Sequence, residues 1–157
     1  MFQVRKAELQ DHACMVSMNI AMARETESLE LDFDTVSKGM LHMLENPSLG
    51  FYVVALHEEQ VVGMCGITFE WSDWRNALFW WIQSVYVDPK WRRQGVFTSM
   101  YGWIRSLAKD QNLAGLRLYH EVENHSSEKT YHKMGMITCD YRMMEEDFVL
   151  GDREHKH

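Results

Sequence analysis

The sequence predicts an α/β (α+β) fold, a single domain built on one mixed sheet. Three observations carry that prediction. At 157 residues the chain has the length of one domain, about 100–200 residues. Its apolar pattern switches between alternation and helical spacing in the order β-α-α-β-β-β-α-β-α-β, which a layered domain with helices packed on a sheet requires. The run LFWWIQSVYV at 78–87 is apolar almost throughout, as suits a strand buried on both faces in a sheet interior.

Each element has its own signal. Residues 2–7 form a short first strand. From Asp11 onward Met15, Val16, Ile20 and Ala23 follow helical spacing, with Asn19 as a polar break. A second helix is expected over 34–44: Asp34 caps it, Val36, Met40, Met43 and Leu44 share a face, and Asn46-Pro47 stops it. FYVVAL at 51–56, the turn from His57 to Gln60, and VVGMCGITFEW at 61–71 read as a hairpin. Residues 72–77 supply turn chemistry before the apolar strand 78–87. After Asp88-Pro89 comes a loop and then an amphipathic helix, on which Val96, Met100, Trp103, Ile104 and Leu107 share a face. GLRLYHEV at 115–122 is the next strand, a helix over 126–134 ends at Gly135, and 136–146 closes the domain as a strand. The domain is expected to run over 1–150, with a polar, frayed tail at 151–157.

Composition narrows the function classes. An apolar fraction of 46% with 25% charged residues is ordinary for a soluble domain. A net charge of −7 argues against a nucleic-acid binder that works by neutralising phosphates. No apolar run approaches the ~18 residues of a membrane span, and the start MFQVRKAELQDH lacks signal-peptide features. Cys14, Cys65 and Cys139 are dispersed and odd in number, so reduced thiols and a cytoplasmic location are expected. Cys65 and Cys139 lie in apolar strand patterns and read as core. The histidines are scattered and form no H-E-x-x-H, so no metal is expected.

The most informative segment is VYVDPKWRRQGVFTSMYGWI. A strand ends, a basic glycine-containing turn follows, and an amphipathic helix begins. Unpaired N–H groups at such a helix start, together with its dipole, favour an anion. Gly95 lets backbone approach a phosphate, Arg92 and Arg93 are able to bind phosphate oxygens bidentately, and Thr98 and Ser99 offer hydroxyls. The pattern is neither a P-loop nor a dinucleotide-binding fingerprint. A plain capped helix start is the competing reading.

Arg92-Arg93-Gln94-Gly95-Val96-Phe97 resembles the acetyl-CoA loop [QR]-x-x-G-x-[GA] of the GNAT superfamily of N-acetyltransferases, with Phe97 where a small residue is usual. Downstream, the stretch from Asn124 to Met136 resembles that family's N-x-x-A-x-x-x-Y-x-x-x-G-[FM] signature, with Ser127 in place of Ala. The resemblance covers nearly the whole chain. It implies a central, mostly antiparallel mixed sheet of about six or seven strands, flanked by about four helices. It also implies acetyl-CoA as co-substrate, no metal, and, from family habit, a homodimer. Main-chain groups of Val85, Tyr86 and Val87 would hold the pantetheine arm. The loop Arg92, Arg93, Gln94, Gly95, Val96, Phe97 and Thr98 would hold the pyrophosphate. Asn124 would help position the cofactor, and Tyr131 would protonate the departing thiolate, a role a phenol near pKa ~10 suits.

The base is harder to assign. Polyamine acetyltransferases of the superfamily carry Glu-Asp just before the loop, where this chain has Gln83-Ser84. Candidates are Glu70, Asp73 and Glu121, or a water chain ordered by Gln83 and Ser84; Glu70 is preferred. The acidic stretch ARETESLELDFD, with Glu25, Glu27, Glu30, Asp32 and Asp34, is suited to attract a cationic amine or simply to keep a loop solvated. Trp80 and Trp81 point to opposite faces of their strand and read as core. Trp71, Asp73, Trp74 and Arg75 are the candidate acceptor rim, an aromatic wall with an acid suited to a cation. The expected reaction is acetyl transfer to a primary amine, a small cationic one, by direct attack in a ternary complex. The alternatives are protein or peptide N-acetylation, and a non-catalytic acyl-CoA-binding module.

Overall fold

The computed structural model describes residues 1–151; the end of the polar tail, 152–157, lies outside the described residues. Two compact units are distinguished, Met1–Tyr119 and the remainder from His120, and each is described by itself. In the first unit the order is β1 (Gln3–Lys6), a 3-10 turn (Leu9–Asp11), α1 (His12–Glu27), α2 (Phe33–Glu45), β2 (Gly50–His57), β3 (Gln60–Ser72), β4 (Ala77–Val87), a second 3-10 turn (Pro89–Trp91), α3 (Val96–Asp110) and β5 (Gly115–Arg117). The second unit contributes α4 (His125–Lys133).

The sheet runs β1-β2-β3-β4-β5. The first three pairings are antiparallel and the last is parallel. Two-residue turn chemistry closes the β2–β3 hairpin, where His57 pairs with Gln60 and Glu58 takes a φ of 55°. The middle of the sheet is dry: Val53, Val54, Ala55, Val62, Met64, Cys65 and Ile67 are fully buried. On one face Met15, Val16 and Met18 of α1 and Met40 of α2 pack against Tyr52, Val54, Leu56, Met64 and Tyr86. On the other face α3 comes so close that a Cβ on Gly63 would stand 2.8 Å from Val96 Cγ1. A glycine there lets the start of α3 settle directly on the sheet.

Several expectations shift. The cap of α2 is Asp32, not Asp34: Asp32 Oδ2 accepts from Thr35 N at 2.9 Å and from Thr35 Oγ1 at 2.7 Å. The strand expected over 115–122 pairs for only three residues, Gly115 to Arg117 against Phe79 to Trp81. The strand expected over 136–146 does not form, so the described residues hold five strands rather than six or seven. Its apolar alternation is real but faces solvent, with Ile137, Tyr141, Met143 and Met144 exposed. Alternation specifies a face, and without a ladder partner it specifies no strand. Cys65 is core, and burial pushes its thiol up to about 12. Cys139 is exposed, correcting its reading as core.

The tryptophans split. Trp80 is buried and meets Phe51 edge-on at 5.1 Å. Trp81 is half-buried on the opposite face, 6.1 Å from the ring of Tyr119, so it is not core as expected. Trp71 and Trp74 are exposed at the β3–β4 hairpin.

Candidate functional site

The site is organised by an irregularity in β4. Gly66 pairs with Gln83 and Met64 with Tyr86, so Cys65 alone faces both Ser84 and Val85. This is a β-bulge, and Ser84 adopts a φ of 51°, unusual for a residue with a side chain. The ladder between β4 and β5 stops at Trp81 and Arg117. Beyond it, from Ile82 to Val87, β4 has no strand partner on that side among the described residues. An extended ligand carrying amide groups is able to pair with such an edge, as an added strand would.

β4 then runs into the basic turn. Asp88 Oδ1 accepts from Lys90 N at 2.9 Å, and the Trp91 ring lies 4.4 Å from that of His57 and 5.9 Å from that of Phe2. Arg93 and Gly95 take φ values of 63° and 87°. Gly95 is the N-cap of α3 and no side chain caps the helix. The first turn closes on Gly95 O, which accepts from Ser99 N at 3.0 Å and from Ser99 Oγ at 2.9 Å. The N–H groups of Val96, Phe97 and Thr98 thus sit at an uncapped helix start beside the exposed Arg93, an arrangement that suits an anion. Thr98 is exposed and Val96 is turned into the core.

Arg92 behaves differently from Arg93. Its Nε donates to Val87 O at 2.9 Å and its Nη2 to Glu25 Oε2 at 2.7 Å. The other oxygen of Glu25 accepts from the Tyr86 hydroxyl at 3.3 Å. Burial first, then the Glu25 carboxylate, pushes the Tyr86 phenol up, so it stays a donor.

The face of β4 that carries Tyr86 also carries Gln83, Trp81 and Phe79, opposite Thr68 and Glu70 of β3. Gln83 Nε2 donates to Thr68 Oγ1. Glu70 is bonded to Arg117, whose guanidinium lies 3.6 Å from the Phe79 ring centre. Glu70 pairs with Phe79, five residues from Ser84, or about 17 Å along the strand. Trp71, Asp73 and Trp74 lie farther still, at the hairpin end, where Asp73 Oδ1 accepts from Trp74 N at 2.9 Å. The proposed base and the proposed rim are therefore distant from the bulge. Thr68 and Tyr119 are groups of this face that sequence reading did not single out, whereas Trp81 was read as core and Glu25 only as part of an acidic stretch. Register sets Thr68 opposite Trp81, and the Tyr119 ring lies 6.1 Å from that of Trp81.

Glu27 lies in the last turn of α1 and is exposed. In the second unit Asn124 caps α4, accepting from Ser127 N at 3.1 Å. The Tyr131 ring lies 5.8 Å from that of His120. Glu121 is exposed. Among the described residues no group of three or more His, Cys, Asp or Glu is placed to hold a metal ion. Among them, too, no helix is long and apolar enough to cross a membrane.

A model of the acetyltransferase (GNAT) family matches residues 16–136. Among solved structures, the chain is 40% identical to a protein described as a "possible acetyltransferase" from Clostridium difficile 630. The TM-score is 0.88, covering 95% of this chain and 99% of that one. A "predicted acetyltransferase with acetyl-CoA" from Clostridium acetobutylicum shares the fold at 20% identity and TM-score 0.75, covering 93% and 96% of the two chains. Glucosamine-6-phosphate N-acetyltransferase from Arabidopsis thaliana does so at 17% and 0.71, covering 92% and 97%. No curated protein matches the chain significantly.

Proposed function

The chain belongs to the acetyltransferase (GNAT) family, whose members use acetyl-CoA as co-substrate, and on that premise we propose that it acetylates the primary amine of a small cationic molecule. The observation that carries this reading is the bulged, half-unpaired β4 running into the uncapped start of α3. The pantetheine amides pair with the main chain of Val85, Tyr86 and Val87. The pyrophosphate rests on the N–H groups from Gln94 to Thr98, with Arg93 beside it.

The amine nitrogen attacks the thioester carbon, and the C–S bond breaks as the thiolate takes the proton of Tyr131, the acid that the family resemblance implies. The surplus N–H proton of the product passes to the Tyr131 phenolate, leaving a neutral amide. Holding both reactants in one complex supplies much of the acceleration. The amine must first lose a proton. Glu70 is the weaker candidate for accepting it, because its carboxylate is committed to Arg117 far from the bulge. A water held by Gln83, Thr68 and Ser84, passing the proton to solvent, fits the position better. The acceptor then lies on the face of Trp81 and Tyr119, near the acidic end of α1 with Glu27, rather than at Trp71, Asp73 and Trp74. Aromatic faces and carboxylates together suit a cation.

The test combines thermal unfolding with acetyl-CoA and thiol release across a panel of amines. Stabilisation by acetyl-CoA with turnover of small diamines is expected. Turnover of peptides alone would move the acceptor class to proteins. Stabilisation without any turnover would favour an acyl-CoA-binding module.

A further inference from the structure

We infer that Glu25, on α1, is a positioning residue for the acetyl-CoA loop, and that Arg92 serves this latch rather than binding phosphate. The inference rests on the acetyl-CoA reading above. Both carboxylate oxygens of Glu25 are used: Oε2 by Arg92 Nη2 at 2.7 Å and Oε1 by the Tyr86 hydroxyl at 3.3 Å. Arg92 also donates to Val87 O at 2.9 Å, and its guanidinium carbon lies 5.3 Å from the centre of the Tyr86 ring. One ion pair therefore joins three segments: the end of β4, the first residue of the loop, and the last turn of α1.

Each partner is otherwise poorly placed. A carboxylate in the last turn of a helix faces the negative end of its dipole, so Glu25 gains from a cation there. An arginine whose Nε is turned back onto Val87 O and whose Nη2 is held by a carboxylate does not present its fork outward. The loop beyond it contains two residues with positive φ, Arg93 and Gly95, and holding its first residue restricts the conformations it samples. Because the chain turns at Ser28 immediately after α1, the latch also ties the beginning of the acidic α1–α2 connection to the cofactor loop.

The experiment is a double-mutant cycle on the full chain. Glu25→Ala, Arg92→Ala and the double variant are read by acetyl-CoA affinity, KM and kcat, with the unfolding midpoint as a control on folding. Each single variant is expected to raise the KM for acetyl-CoA about tenfold, or ~1.4 kcal/mol, with kcat within about twofold. The double variant should be no worse than either single one. Glu25→Gln, which keeps an acceptor oxygen, should recover part of the loss. If Arg92→Ala weakens binding while Glu25→Ala leaves it unchanged or tightens it, Arg92 is a phosphate ligand and the inference is overturned. Additive losses overturn it as well. Wild-type protein that fails to bind acetyl-CoA fails the parent reading instead, and that control is scored before any variant.

Discussion

Gly95 shows what one residue decides. Its φ is 87°, yet the space where a Cβ would stand is open, so conformation rather than room demands glycine. Gly95→Ala should cost about 1–2 kcal/mol of local strain and raise the KM for acetyl-CoA severalfold in steady-state kinetics; unchanged kinetics would remove the loop from binding. Tyr131→Phe removes the proposed acid, and kcat should fall by roughly 10²-fold with KM little changed. An unaltered kcat would end that assignment. Gly95 was legible from its place between a strand and an amphipathic helix. Arg92 was legible as a charge but not in its role, because Glu25 lies 67 positions away in the chain and no local pattern links the two.

The informative element is β4. Its apolar run identified it as a sheet strand, but its bulge depends on register with β3, which the run does not encode. Ser84 carries the strained φ of that bulge. Ser84→Gly should keep or slightly raise the unfolding midpoint. Ser84→Val, β-branched at positive φ, should lose about 1–2 kcal/mol and most activity. Equal stability of the two variants would mean that the bulge is not constrained there. The same dependence on partners explains the segment over 136–146: its alternation is that of a strand, and the ladder that would make it one is absent among the described residues. The cap of α2 moved by two residues because Asp32 and Asp34 both suit a cap, and only the bond to Thr35 distinguishes them.

For the molecule as a whole, one buried ion pair sets an acid limit on stability. Asp11 is 5% exposed and accepts from both Arg5 Nη1 at 2.7 Å and Nη2 at 3.1 Å, and from Glu8 N at 2.7 Å. Burial pushes its carboxyl up, but the Arg5 and Glu8 donors outweigh it and hold it below the usual range. Its stabilisation is therefore fully present above the unfolded value of about 4 and is lost as pH falls through the lower folded value. Asp11→Asn should lower the unfolding midpoint at pH 7 and flatten its fall below pH 4; a parallel curve would exclude Asp11 as the source. What the sequence determined by itself were the features carried by near neighbours: the kind and order of most elements, the basic glycine-containing turn before α3, and the motifs that resemble the family. The tertiary structure decided which side chains meet across the chain. It took Glu70 to Arg117, Arg92 to Glu25, and Gln83 to Thr68. Periodicity specifies the face of an element, whereas pairing depends on register and packing between segments far apart in the chain.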